Sequence, residues 1–230
     1  MTQGSNHRLP LVRLRGVCKT WQAGNNRINV LRDIDLDLFL GSSTAVVGPS
    51  GSGKSTLIHI LALLTPIDSG EYLFEGSSVY QGDQWWNTSI RRKIGIVYQD
   101  GKLIPNLTAL ENVCVPLAHR GVWPKRQKEM AMSALDEVGL SHRLKNYPNQ
   151  LSGGELMRCA IARALVTDPV LVLADEPTGT LDSKSGETVT ELLFGIVQPQ
   201  RALVVVSHHP PLAERADRIV RIKDGTLDAS

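Results

Sequence analysis

The chain has 230 residues, 42% of them hydrophobic, with 25 Lys and Arg against 23 Asp and Glu for a net charge of +2. That length suits one large α/β unit with a sizeable core, and so small a charge lacks the basic excess that binding a phosphate backbone requires, so no nucleic-acid partner is expected. Cys18, Cys114 and Cys159 are too few and too dispersed for a disulfide framework, and Met1 to Pro10 lacks the apolar core of an export signal, which points to a reducing compartment and a chain that is neither exported nor membrane-spanning.

After a polar segment at 1–10, Leu11 to Phe39 carries period-2 patches such as Asp33-Ile34-Asp35-Leu36-Asp37-Leu38, the pattern of antiparallel strands with one wet face. Ala45-Val46-Val47 is a short buried strand running into Gly48, and a helix from Ser55 to Leu64 follows, stopped by Pro66. Ile94 to Val97 is the next buried strand. Leu103 to Leu151 reads as mostly helical, with Lys125 to Val138 stopped by Gly139. Glu155 to Val166 is a helix stopped by Pro169, Val170 to Ala174 is a strand before Asp175, and Ala202 to Val206 is a strand before Ser207. Strand and helix alternate, so the expected fold is α/β with a mainly parallel core sheet, an antiparallel β lobe and a helical lobe at about 100–155. With no internal repeat or linker in view, a single domain over 11–230 is expected.

Gly48-Pro49-Ser50-Gly51-Ser52-Gly53-Lys54-Ser55-Thr56 lies between an apolar strand and an apolar helix, the context that separates a phosphate loop from a Gly/Ser-rich turn. Glycines let successive N–H groups point inward at phosphate oxygens, and the helix start adds its positive dipole end. Lys54 supplies a charge for the β- and γ-phosphates of ATP, and the Ser55 hydroxyl suits Mg2+. Asp175-Glu176 stands at the end of a buried strand, where ligands of open α/β sheets sit. Alone the pair reads as a helix cap or a solvated turn. Beside a phosphate loop, Asp175 is the candidate Mg2+ holder and Glu176 the residue that orients or deprotonates the attacking water.

Leu151-Ser152-Gly153-Gly154-Glu155 opens a helix and can act as a second anion site, although Ser152 and Glu155 also satisfy a capping box; both readings hold together. The segment resembles, residue for residue, the signature sequence of the ABC ATPases. The order of phosphate loop, Gln99, signature, Asp175-Glu176 and His208 resembles the whole pattern of that family over about 11–228. The resemblance implies a P-loop NTPase fold and further roles. Trp21 would stack on adenine, Gln99 would sense Mg2+ and the γ-phosphate, and His208 would act as the switch histidine. Gly179-Thr180-Leu181-Asp182 would form a loop carrying information across a dimer. It also implies two copies sandwiching two nucleotides, each signature (Ser152, Gly153, Gly154) facing the other copy's ATP, with a transmembrane permease as partner at the cytoplasmic face of the membrane.

Leu103-Ile104-Pro105-Asn106-Leu107-Thr108-Ala109-Leu110-Glu111-Asn112-Val113 and Leu173 to Gly179 most resemble the branch serving lipoprotein release and MacB-type export. Several positions depart from the usual pattern: Asp100-Gly101-Lys102 where an aromatic often follows Gln99, Leu156-Met157 for Gln-Gln, Thr180 for Asn, and His209 for an acid. A cell-division ATPase that regulates a membrane partner without transport is the alternative. Translation and DNA-repair members fit less well, because the chain has one ATPase half and neither sustained heptads nor Cys clusters.

Overall fold

A computed structural model describes residues 9–24, 26–80 and 87–228, so residues 1–8 of the polar N-terminal segment lie outside the description. The period-2 stretch forms two long strands, β1 (Val12–Ala23) and β2 (Asn26–Leu38), paired antiparallel from Val12 with Leu38 to Ala23 with Asn26. Ile34, Leu36 and Leu38 are buried and alternate with exposed Asp33 and Asp35, while Leu31, also buried, lies beyond a register shift in the ladder where Arg32 and Asp33 are both exposed.

The buried β3 (Ser43–Val47) leads through the glycine-rich loop into α1 (Lys54–Leu61), which stops three residues short of the expected Leu64. Leu63 takes a left-handed φ of 54°, and the Leu64 and Thr65 amides both donate to the His59 carbonyl. This reversal keeps Leu61, Ala62 and Leu63 buried together. β4 (Ser69–Phe74) and β5 (Ser77–Ser78) then complete a sheet of order β2-β1-β4-β5. The sequence reading missed these strands, because Ser69, Gly70 and Glu71 are exposed and break the apolar run.

Next come α2 (Thr88–Arg91), β6 (Ile94–Val97), α3 (Ala109–His119), α4 (Pro124–Glu137) and α5 (Gly153–Leu165). β7 (Leu171–Asp175), α6 (Ser183–Gly195), β8 (Ala202–Val206), α7 (Pro210–Ala213), β9 (Arg218–Lys223) and β10 (Thr226–Leu227) follow. The second sheet has the order β10-β9-β3-β8-β7-β6, parallel except for β10. Its central strands β3, β8 and β7 are buried on both faces: Leu171 and Leu173 of β7 join one apolar cluster with α1 and the first sheet, while Val172 and Ala174 join another with α3, α4 and α5. Every parallel strand therefore ends with its next residues at one edge, beside the loop after β3. β9 escaped the sequence reading because Arg218, Arg221 and Lys223 alternate with its buried residues.

Asn112 on α3, fully buried, ties down the chain entering the helical lobe. Its carboxamide accepts from the Ile104 amide at 2.7 Å and donates to the carbonyls of Ile104, Leu107 and Thr108 at 3.0–3.1 Å. Asn112→Leu strands those backbone groups in an apolar site, at a cost of about 3 kcal/mol. Denaturant unfolding should show that loss, and hydrogen exchange at the Ile104 amide should rise toward that of an open loop.

Candidate functional site

The loop after β3 is shaped by backbone packing. A Cβ at Gly48 would lie 2.1 Å from the Ile222 carbonyl of β9, and one at Gly53 would lie 2.8 Å from both the Val30 carbonyl and Leu31 Cδ2 of β2. Gly53 is also the N-cap of α1, at φ 107°, a conformation side chains avoid. Gly51, at φ 79°, meets nothing within 4 Å, and Pro49, Ser50 and Gly51 are exposed. The loop is thus pinned at both ends and open at its crest. Lys54 is buried, and its Nζ donates to the carbonyls of Gly48 and Pro49 at 2.8 and 2.9 Å. Ser52 Oγ is buried with no partner among the described residues.

Asp175 and Glu176 stand where β7 ends. Burial first, and the neighbouring Glu176 charge second, push the Asp175 carboxyl above its ordinary range, against the pull of His59, the Ser55 hydroxyl and Lys54. Its Oδ1 is buried and unpartnered. A carboxylate held at such a cost beside a helix-start hydroxyl fits a cation site. Among the described residues no cluster of three His, Cys, Asp or Glu side chains is placed to hold a metal alone, so an ion here would complete its shell with phosphate oxygens and water.

Glu176 has a φ of 47°, and its amide donates to the Val206 carbonyl. Its Oε2 lies 2.8 Å from His208 Nδ1 and accepts from the His208 amide at 3.3 Å. The carboxylate is 14% exposed and the imidazole 63%, so the histidine is the partner free to swing. Gln99 follows β6 and is exposed; a Cβ at Gly179 would lie 3.6 Å from its Nε2, which sets its carboxamide against the turn after Glu176. Trp21 on β1 is 44% exposed, its indole Nε1 is 3.4 Å from Thr56 Oγ1, and Lys19 Nζ sits 5.3 Å from the ring centroid. Trp21 therefore flanks the start of α1 and is partly exposed.

Ser152 caps α5. Its side chain accepts from the Glu155 amide while the Glu155 carboxylate accepts from the Ser152 amide, and Arg143 Nε holds that carboxylate at 2.8 Å. The neighbours that side chains at Gly153 and Gly154 would meet are Leu181 and Ser185, not cradle residues. So the fold assembles Gly48 to Thr56, Trp21, Gln99, Asp175, Glu176 and His208 around one sheet edge and keeps the Ser152–Gly154 turn with α6. Asp182 caps α6 by accepting from the Ser185 amide at 3.0 Å, which fixes the loop between Glu176 and α6. His59 beside Asp175 was not anticipated, since a helical His next to apolar residues carries no signal of its own.

The family model described as ABC transporter matches residues 31–179. An uncharacterized ABC transporter ATP-binding protein of Thermotoga maritima is 45% identical over 95% of this chain and 94% of its own length. The lipoprotein-releasing system ATP-binding protein LolD of Shewanella oneidensis is 46% identical over 94% of this chain and 95% of its own. The macrolide export ATP-binding/permease protein MacB of Brucella abortus is 44% identical over 95% of this chain, which spans 34% of that longer protein. Among solved structures, the ATP-binding cassette MJ0796, as a post-hydrolysis dimer bound to ADP and Pi, superimposes with a TM-score of 0.86 at 38% identity, covering 95% of this chain and 97% of that one.

The Glu155 carboxyl is held below its ordinary range, chiefly by the Ser152 amide and also by Arg143. Its contribution to stability is therefore present above the ordinary carboxylate value and lost as pH falls through the lowered one. Glu155→Gln should flatten that acid limb in pH-dependent melting, while Ser152→Ala should cost about 1 kcal/mol at neutral pH through the lost cap.

Proposed function

The chain belongs to the ABC transporter family, and on that premise we propose that Gly48 to Thr56, Asp175, Glu176 and His208 hydrolyse ATP in a site that a second copy of the chain completes. It is an ATPase subunit of the LolD and MacB type. The observation that carries the two-copy reading is the one-sidedness of the site. The phosphate loop, the carboxylates and the histidine share one edge, while the Ser152–Gly154 turn packs beside Leu181 and Ser185 of the same chain. A signature from another copy would close the open crest at Ser50 and Gly51.

In this reading the loop amides and Lys54 bind the β- and γ-phosphates, and Trp21 stacks on the adenine with little demand on base identity. Ser55, Gln99 and Asp175 would hold Mg2+, which when bound neutralises phosphate charge. Glu176 orients water and takes up its proton as the water oxygen bonds to the γ-phosphorus and the bond to the β–γ bridging oxygen breaks, giving ADP and phosphate. His208 leaves Glu176 to donate to the γ-phosphate, so nucleotide arrival frees the base. The Ser152 hydroxyl and the Gly153 and Gly154 amides of the second copy bind the same phosphate.

No helix among the described residues is long and apolar enough to cross a membrane. Work on a membrane would therefore pass through a permease partner, docked around the turn after Gln99, with the chain held peripherally at the cytoplasmic face. Closure on ATP and opening after hydrolysis supply the two states that drive that partner.

Light-scattering mass with and without Mg-ATP, alongside phosphate release, tests this. Glu176→Gln should dimerise on ATP and release phosphate at least about 100-fold more slowly than the native chain, and adding Ser152→Ala should return it to monomer. An ATP-bound monomer with undiminished turnover would contradict the reading.

A further inference from the structure

Leu156, Ala160 and Arg163 lie along one face of α5, four and three residues apart, and that face holds the turn after Gln99. The Arg163 guanidinium donates to the Gly101 carbonyl through Nη2 and to the Lys102 carbonyl through Nη1, each at 2.6 Å. Gly101 and Lys102 take left-handed φ values of 68° and 46°, which turns both carbonyls to the same cation. A Cβ at Gly101 would sit 2.4 Å from Leu156 Cδ2 and 3.5 Å from Ala160 Cβ, so the turn rests directly on the helix. Gly101 and Leu156 are both departures from the commoner family pattern, and the fold brings the two together. Burial lowers the Arg163 pKa. Arg163 is half-buried, and its two charged hydrogen bonds to the carbonyls of the turn offset that partial desolvation.

We propose that Arg163 is a positioning residue: with Leu156 and Gly101 it clamps the Gln99 turn to the signature-bearing helix, so that Gln99 and Ser152 move as one body when nucleotide is engaged. The clamp links the chain's own ATP, met by Gln99, to the ATP of the second copy, met by Ser152, since α5 begins at the signature and holds the turn from Leu156, about one helical turn in, to Arg163, about three turns in. It rests on the reading of Gln99 as a γ-phosphate sensor.

The test measures ATP-driven dimerisation in the Glu176→Gln chain and hydrolysis in the otherwise native chain, for Arg163→Ala, Arg163→Lys, Gln99→Ala and the Arg163→Ala/Gln99→Ala pair. Arg163→Ala should leave ATP affinity of the monomer within about twofold but raise the ATP concentration for half-maximal dimerisation about tenfold, the scale of one lost charged hydrogen bond. Arg163→Lys should recover part of that, and Arg163→Ala should add nothing once Gln99 is already Ala. Leu156→Ala, which removes the other half of the seat, replaces Arg163→Ala if the latter fails to fold. If Gln99→Ala impairs dimerisation while Arg163→Ala is harmless or fully additive to it, the clamp is wrong and the sensor reading survives. If Gln99→Ala leaves dimerisation and hydrolysis intact, the sensor reading fails and takes the clamp with it.

Discussion

The site depends on the closeness with which the loop after β3 approaches its neighbours. Gly48 lies against the Ile222 carbonyl of β9 and Gly53 against the Val30 carbonyl of β2, so one loop is wedged between strands of both sheets. A single added methyl at either position would collide with backbone, which cannot move aside as a side-chain end can. The Gly225 amide adds a bond to the Ser52 carbonyl, and the Arg32 amide donates to the Gly225 carbonyl. The phosphate loop is therefore a joint between the antiparallel lobe that carries Trp21 and the parallel sheet that carries Asp175 and Glu176. The two lobes hold their spacing because the loop is pinned against both, at Gly48 and at Gly53.

Electrostatics at the sheet edge follow from that framework. β7 is buried on both faces, so Asp175 emerges from an apolar strand straight into a place that disfavours its charge. Glu176 follows at a left-handed φ, with its carboxylate against His208. Two adjacent carboxylates thereby acquire different surroundings, Asp175 with an unpartnered buried oxygen and Glu176 against a histidine, which is what the proposed division of tasks between them rests on.

Much of this was legible in the residues. The apolar strands before Gly48 and Asp175, the glycine spacing and the Ser152 to Glu155 cap each have a local cause, and each appears where its pattern placed it. What stayed hidden was tertiary. β4 depends on Gly70 fitting against the Gly16 carbonyl, a contact between segments far apart in sequence. β9 is set by the sheet it joins rather than by its own alternating charges. Asn112 and Arg163 look like ordinary polar residues on helices, and only the carbonyls that surround them reveal what they hold. The departure at Gly101 looks in the sequence like a lost aromatic, and its contact with Leu156 gives it a meaning inside the chain.

The central claim is that each ATP is shared between two copies, cradle from one and signature from the other. Hydrogen exchange on an isotopically labelled Lys54→Ala chain, mixed with unlabelled Glu176→Gln chains and Mg-ATP, tests it most directly. The labelled chain lacks the cradle charge, so protection of its own Gly153 and Gly154 amides must come from nucleotide held by its partner. The account predicts that these amides become protected on mixing with ATP and remain unprotected without it. Protection confined to the unlabelled chains, with the labelled signature still exchanging freely in the mixture, would contradict it.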